Sequence, residues 1–586
     1  MPDPLLADLD DSQRAAVTSG AAPLAILAPA GSGKTRVLTR RIAWRIRDGS
    51  ATARHVVAVT FTRKAAAELR TRLRALGTGE PVVAGTFHAL ALDQLRRAAA
   101  DRGHHPPTVL DRKGRLLAPL LGRRADPVTV SELAAEIEWA KARVLTPDEY
   151  VLAADRARRH TSLPATEIAQ RWSEYERETR RRGLLDFDDL LRAAADALAD
   201  DDAAAALRFR LRHFFVDEFQ DASPLQLRLL RAWLGHRDDL CVVGDDAQAI
   251  YAFAGGDAGV LTTFTEVFPG STVLRLSTNY RSTHQIVRAA HAALAAVRHD
   301  APAVTTPRGD GPIPRVVTYP DGDAEARGVA ETIRARAASG ARWSEIAVLF
   351  RTNAQVGPIA DALARAAVPH RVRDADRSGP AAAARDLLRS LREHAGARPD
   401  RSFAELVAEL VTPDPDETDV VPRALVDLAR EYAASEPGGG TLAGFASWLE
   451  LGTTDATRTD DAVELVTFHR AKGLEWPIVF LVGLEAGYVP IAHADTPEAR
   501  AEEARLLHVA LGRASEELHL SWARRRTFGT RTSAREESPW LARVAGATMP
   551  GPADRLPDPE RALSAVRSTL AAHRPAPPPR RRRFPR

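Results

Sequence analysis

A chain of 586 residues with 81 basic and 77 acidic side chains carries a net charge of only +4, so its pI near 9.3 reflects arginine content and charge alone does not argue for nucleic acid. The hydrophobic fraction of 45% fits a soluble globular chain of about three or four domains, and no apolar run approaches the roughly 20 residues of a bilayer span. The single cysteine, Cys241, excludes internal disulfides and cysteine-cluster zinc sites, and the acidic N-terminus without an apolar core segment points to a cytoplasmic protein.

In chain order, Leu9 to Val17 places Gln13 at the start of a predicted helix. A Gln amide pairs with N6 and N7 of adenine, so Gln13 either selects ATP over GTP or lies on a solvated helix face. Leu24 to Leu27 reads as a buried strand, and Arg36 to Ile42 has apolar residues at helical spacing. Between them, Ala28 to Thr35 reads as a phosphate-binding loop, with Ala28 where the strict pattern has Gly. Gly31 and Gly33 let the backbone N–H groups curl around one anion, Lys34 reaches the β- and γ-phosphates, and Thr35 holds Mg²⁺. Only five residues are Lys (Lys34, Lys64, Lys113, Lys141 and Lys472), so a Lys kept in this loop marks a need for a point charge that a guanidinium does not imitate.

Two further strands, at Val56 to Thr60 and Val82 to Thr86, each end in Thr and an aromatic residue. They place Thr60, Phe61, Thr86 and His88 where an α/β sheet binds ligands, either as base-stacking and phosphate contacts or as core and turn residues. From His105 to Gly183 the β-signal gives way to helical periodicity, and Trp139, Lys141 and the basic run Arg180 to Arg182 there either contact a nucleic acid or belong to a solvated face. The α/β pattern resumes at Leu185, and Phe214 to Asp221 delivers paired carboxylates at a strand end. Asp217 is the expected Mg²⁺ ligand and Glu218 the general base. After the strand Leu240 to Val243, Gln248 is placed to sense the γ-phosphate, with Tyr251 and Phe253 as stacking faces.

Taken in this order, Gln13, Ala28 to Thr35, Thr60 to Leu69, Gly85 to Leu90, Asp186 to Leu191, Val216 to Asp221 and Val243 to Phe253 resemble the UvrD/PcrA/Rep group of superfamily 1 DNA helicases. Leu276 to Thr283, Val463 to Trp476 and Glu502 to Ala514 resemble that family's fourth, fifth and sixth motifs. The resemblance implies a nucleotide set of Gln13, Ala30, Gly31, Ser32, Gly33, Lys34, Thr35, Arg36, Tyr280, Arg281, Glu475 and Arg513. It further implies γ-phosphate contacts from Arg281 and Arg513, and places His469 and Lys472 near DNA and nucleotide. Ala254, Gly512 and His508 depart from the Arg, Thr and Tyr frequent in the family.

The expected fold is α/β, with two RecA-like P-loop motor domains of parallel sheets flanked by helices, and helical insertions. The first motor domain is read over 1–104 and 186–274 with an insertion at 105–185, and the second over 275–392 and 458–545 with a reduced insertion at 393–457. A Pro/Arg-rich tail, 546–586, reads as flexible. The expected activity is ATP- and Mg²⁺-dependent 3′ to 5′ translocation on single-stranded DNA with unwinding of tailed duplexes, alongside a repair or replication partner. A translocase of the same family that does not unwind by itself, and a P-loop ATPase without nucleic acid, are the alternatives. The choice of DNA over RNA rests on the resemblance alone.

Overall fold

The computed structural model describes residues 3–373 (without 111, 200 and 299–303), 461–548 (without 529–530), and 391, 401–409, 429, 432 and 445. The insertion read over 393–457 falls outside the described residues except for the helix Phe403–Glu409 and the single positions just given, as does the tail from 549 onward.

The first sheet contains β1 (Leu24–Leu27), β2 (Val56–Thr60), β3 (Val83–Thr86), β6 (His213–Val216), β7 (Leu240–Gly244) and β8 (Thr272–Arg275). The two-residue strands β4 (Thr108–Val109) and β5 (Leu184–Leu185) pair separately. The sheet order is β3-β2-β6-β7-β1-β8, and every pairing is parallel. Parallel strands covered on both faces read as continuous apolar runs, which is why Leu24–Leu27 was legible as a strand without alternation. Within β1, Ala25 and Leu27 join the core on one face while Leu24 and Ile26 join the core on the other.

The second sheet is built from β9 (Arg315–Tyr319), β10 (Ile346–Phe350), β11 (His370–Val372), β12 (Val463–Thr467), β13 (Trp476–Leu481) and β14 (Ala514–Ala523). Its order is β11-β12-β10-β13-β14-β9, again all parallel. Ala347 and Leu349 face one core, while Ile346, Val348 and Phe350 face the other. The loops that carry the motifs leave the C-terminal ends of these parallel strands, where ligands of open α/β sheets bind. Among the described residues, no helix is long and apolar enough to cross a membrane.

The helices between Gly114 and Arg182 pack around their own core, which includes Leu117, Leu133, Ile137, Trp139 and Trp172. The short β4–β5 pair closes the entry and exit of this segment, and strands of two residues are too brief to leave a periodic signal. Trp139 and Lys141, considered as nucleic-acid contacts, are buried instead. Lys141 Nζ donates to Asp186 Oδ2 and Asp189 Oδ1, both at 2.9 Å, and Lys113 Nζ donates to Asp188 Oδ2 at 2.7 Å. Arg180, Arg181 and Arg182 lie at the surface and pair within their own helix with Glu176 and Glu178, so that run is a solvated face.

The Lys141 cluster ties this helical segment to the helix Phe187–Asp196. Deleting one partner of a buried pair leaves an uncompensated charge and costs about 3–5 kcal/mol. Lys141→Ala is expected to lower the unfolding free energy of the first transition in chemical denaturation by about that amount, and its midpoint with it. An unchanged midpoint would mean that the carboxylates find other partners.

Candidate nucleotide cleft and nucleic-acid groove

The loop Ala28 to Thr35 is held by its own hydrogen bonds. Ala28 N–H donates to Gly244 O of β7 at 2.8 Å, and Ser32 Oγ donates to Pro29 O at 2.7 Å. Lys34 opens the helix Lys34–Arg47; its Nζ donates to Ala28 O at 2.9 Å and lies 3.7 Å from Asp245 Oδ2. Ala30 and Ser32 are buried within the turn. Gly31 has φ 72°, and a Cβ there would lie 2.7 Å from Asn279 Oδ1 and 2.8 Å from Arg281 Cβ. Glycine thus permits both the left-handed backbone and the close approach of the segment 279–281.

Gln13 is 1% exposed and so does not lie on a solvated face. Its N–H is capped by Asp10 Oδ1 at 2.7 Å, and its Nε2 donates to Ser32 O at 2.9 Å, so the side chain braces the loop. Tyr280 closes the same corner: its N–H donates to Gly31 O at 2.8 Å and its hydroxyl donates to Asp10. Arg36 donates to Asp8 O at 2.8 Å beside them.

Across from Lys34, β6 delivers Asp217 and Glu218. Thr35 Oγ1 donates to Asp217 Oδ2 at 3.4 Å. Burial, together with the neighbouring Glu218 charge, pushes Asp217 up to about 7. Burial also presses upward on Glu218, but Lys34 and Lys472 outweigh it and hold this carboxyl below its ordinary value. Glu218 has φ 52°, a left-handed conformation that costs a non-glycine residue about 1–3 kcal/mol and concentrates at functional sites. Its carboxylate accepts from Gln220 Nε2, and Gln220 Oε1 in turn accepts from Asp245 N–H at 2.9 Å. Gln248 is buried next to this group and donates to Asp245 Oδ2 at 2.7 Å. Thr35 and Asp217 therefore offer converging oxygens beside a carboxylate that has no ion pair among the described residues, a donor set that suits a hard divalent cation such as Mg²⁺.

The facing wall carries the two arginines. Arg281 Nε lies 2.6 Å from Glu475 Oε2, and Glu475 is largely exposed. Arg513 is 2% exposed and makes its hydrogen bonds to the carbonyls of Val509 at 2.8 Å and Leu474 at 3.1 Å. Burial first, and the charge of Arg281 second, push Arg513 down to about 9. Two guanidinium groups thus lie close enough to disfavour each other's charge, an arrangement that suits an anion.

The expected nucleic-acid contacts separate into groups. Thr60 and Thr86 are register partners at the ends of β2 and β3, as two matching strand ends require. Thr60 is buried, and Phe61 leans on the core, with its ring 5.6 Å from that of Phe87. The Thr86 hydroxyl accepts from Ala89 N–H at 3.2 Å and caps the helix Phe87–Asp101. His88, half-buried, sits edge-on to Phe187 at 5.9 Å, and burial pushes its pKa down. Tyr251 and Phe253 lie 6.1 Å apart, and Phe253, 53% exposed, meets His469 of the second sheet edge-on at 5.4 Å.

Lys472 joins the two regions. Its Nζ donates to Asp221 at 2.6 and 2.7 Å and to Gln248 O at 2.8 Å, and stands 5.0 Å from the Tyr251 ring. Burial pushes Asp221 up to about 6 despite this partner. The sequence reading gave no role to Asp221, Asp245 or Asn279. Asn279 Oδ1 accepts from the N–H groups of Arg281 and Ser282, both at 2.8 Å, and so shapes the segment against Gly31. The acidic pair after β7 was the available signal for Asp245; nothing local distinguishes Asn279.

Residues 9–269 match the UvrD/REP helicase N-terminal domain, and residues 274–408 and 421–525 match the UvrD-like helicase C-terminal domain. The chain is 41% identical to the ATP-dependent DNA helicase UvrD2 of Mycobacterium tuberculosis (strain ATCC 25618 / H37Rv), over 94% of this chain and 83% of that protein. It is 30% identical to DNA helicase II of Escherichia coli (strain K12), covering 90% and 86%, and 28% identical to the ATP-dependent DNA helicase PcrA of Bacillus subtilis (strain 168), covering 92% and 86%.

Burial, and after it the charge of Arg351, push His469 down to about 4. Its ring is thus neutral at physiological pH and presents an aromatic face without a charge. The histidine Cε1 resonance that disappears in His469→Phe is expected to stay at its neutral position from about pH 8 to about pH 5. A midpoint near the ordinary histidine value would contradict this environment.

Proposed function

We propose that this chain, which belongs to the UvrD/Rep helicase family, is an ATP-driven motor that moves 3′ to 5′ on single-stranded DNA and opens tailed duplexes. We further assign it to DNA repair or replication in the cytoplasm. Our division takes 1–104 and 186–274 as the first motor domain, with 105–185 as its insertion. The second comprises 275–392 and 458–545, with 393–457 as a reduced insertion and 546–586 as a tail. The observation that carries this reading is a single side chain, Lys472, that touches Asp221 beside the paired carboxylates and Tyr251 beside the exposed aromatic rings.

In this reading Ala30 to Arg36 surround the phosphates, with Lys34 as the point charge, while Gln13 and Tyr280 border the base and Glu475 reaches the ribose. Thr35 and Asp217 would hold Mg²⁺, which neutralises charge on the β- and γ-phosphates when bound. Glu218, kept anionic, orients the attacking water and accepts its proton. Gln248 reads the γ-phosphate. Arg281 and Arg513 meet the charge that spreads over the transferred phosphoryl group, a contribution of about 10³ to 10⁵ in rate. Because these arginines pack with the second sheet, hydrolysis needs a closed cleft, and closure moves His469 relative to Thr60, Phe61, Thr86, His88, Tyr251 and Phe253 of the first domain. Alternate gripping and release of stacked bases then advances the strand.

Strand separation by the purified protein with ATP and Mg²⁺ tests this on duplexes with a 3′ tail, a 5′ tail or no tail. Unwinding confined to the 3′-tailed duplex is expected. The shortness of 393–457 favours a second reading, a translocase that needs a partner to open duplexes; DNA-stimulated ATPase without unwinding would select it. Lys34→Ala is expected to abolish hydrolysis while single-strand affinity stays close to that of the unaltered chain. Substantial ATPase in that variant would remove the loop from the centre of the mechanism.

A further inference from the structure

The segment from Gln248 to Phe253 carries the Gln248 amide at one end and the Tyr251 and Phe253 rings at the other. It leaves β7 of the first sheet, yet three of its backbone polar groups are held by side chains that move with the second. Lys472 Nζ donates to Gln248 O at 2.8 Å, Arg505 Nε donates to Ala249 O at 2.7 Å, and Ala252 N–H donates to Glu502 Oε1 at 3.0 Å. The Phe253 N–H is directed at the same Glu502 carboxylate. Glu502 and Arg505 stand one turn apart on the helix Pro497–Leu511, whose C-terminal end leads directly into Arg513.

On its far side the segment rests against the helical insertion. A Cβ at Gly255, φ 93°, would lie 2.5 Å from Ala142 Cβ and 3.3 Å from Trp139 O. The segment is therefore confined between the helix Pro127–Ala142 and the helix that presents Arg513, and displacement of the latter relative to β7 acts on its backbone directly. Glu502 and Arg505 reach neither the phosphate loop nor an exposed ring. Among the described residues, their hydrogen bonds go to the connecting backbone alone, between the site that would read phosphate and the rings that would read bases.

We propose that Glu502 and Arg505 are positioning residues that lock the Gln248–Phe253 segment to the Arg513 helix, so that a strand seated on Tyr251 and Phe253 sets the cleft geometry for ATP hydrolysis. This rests on the reading of the chain as a single-stranded DNA motor. The clamp transmits strand binding to turnover, not to the affinity for either ligand. Losing it weakens stimulation without weakening either binding step, whereas general loosening of the fold lowers every rate together.

The test uses the full chain with ATP, Mg²⁺ and a thymidine oligonucleotide. Turnover is measured without DNA and at saturating DNA, together with the KM for ATP and the Kd for the oligonucleotide. Glu502→Ala and, independently, Arg505→Ala are expected to cut the fold-stimulation by DNA about tenfold, with DNA-free turnover, KM and Kd within about twofold of the unaltered chain. Glu502→Gln, whose amide oxygen accepts from Ala252 N–H in the same place, is expected to recover most of the stimulation; this separates a lost hydrogen bond from a misfolded helix. Equal loss of DNA-free and DNA-stimulated turnover, or undiminished stimulation in both alanine variants, would overturn the proposal. Absence of stimulation in the unaltered chain would instead overturn the DNA-motor reading on which it stands.

Discussion

The close approach of Gly31 to the segment Asn279–Arg281 is the constraint on which the rest of the cleft depends. The missing side chain lets Asn279 Oδ1 come within 2.7 Å of where a Cβ would stand, and Tyr280 N–H donates to Gly31 O at 2.8 Å. That contact brings Arg281 opposite Lys34, and Ser282 Oγ, donating to Ala514 O at 2.7 Å, fixes the same segment to β14. The phosphate loop of one sheet and the arginines carried by the other thus share a boundary a few atoms thick. Small relative rotations of the two sheets change what a bound phosphate would meet.

The uneven use of lysine has the same physical basis. Lys34, Lys113, Lys141 and Lys472 are each surrounded by two or more oxygen acceptors at largely buried positions, and Lys472 also lies over an aromatic ring. An ammonium group is compact and directs three donors tetrahedrally, whereas a guanidinium spreads its donors in a plane. A chain that chooses Arg for surface charge therefore keeps four of its five Lys where several acceptors converge from different directions. The argument that singled out Lys34 in the sequence applies equally to Lys141 and Lys472, whose partners are distant in the chain and unreadable from it.

The fold and the phosphate loop were legible because their signals are local. The strand Leu24–Leu27, the glycine turn and the start of the next helix occupy consecutive positions, and Phe214 to Glu218 shows an apolar run ending in carboxylates. The cross-sheet contacts were not legible. Gln13 could not be distinguished from a solvated residue until its 1% exposure and its bond to Ser32 O were known. Phe61 was balanced between base stacking and core packing, and its ring leans on Phe87; Trp139 and Lys141 proved to be core. In each case the deciding quantity is burial, which depends on contacts between residues tens of positions apart in the chain. The strands β4 and β5 escaped notice because two residues carry no period.

The central claim is that the cleft works only when both sheets contribute to it. Its most direct measurement is the kcat for ATP at saturating single-stranded DNA in Arg513→Ala, with ATP affinity measured separately. The account predicts a fall of about 10³ or more in kcat with nucleotide still bound. A kcat within about tenfold of the unaltered chain would contradict it, since the transferred phosphoryl group would then be stabilised from the first sheet alone.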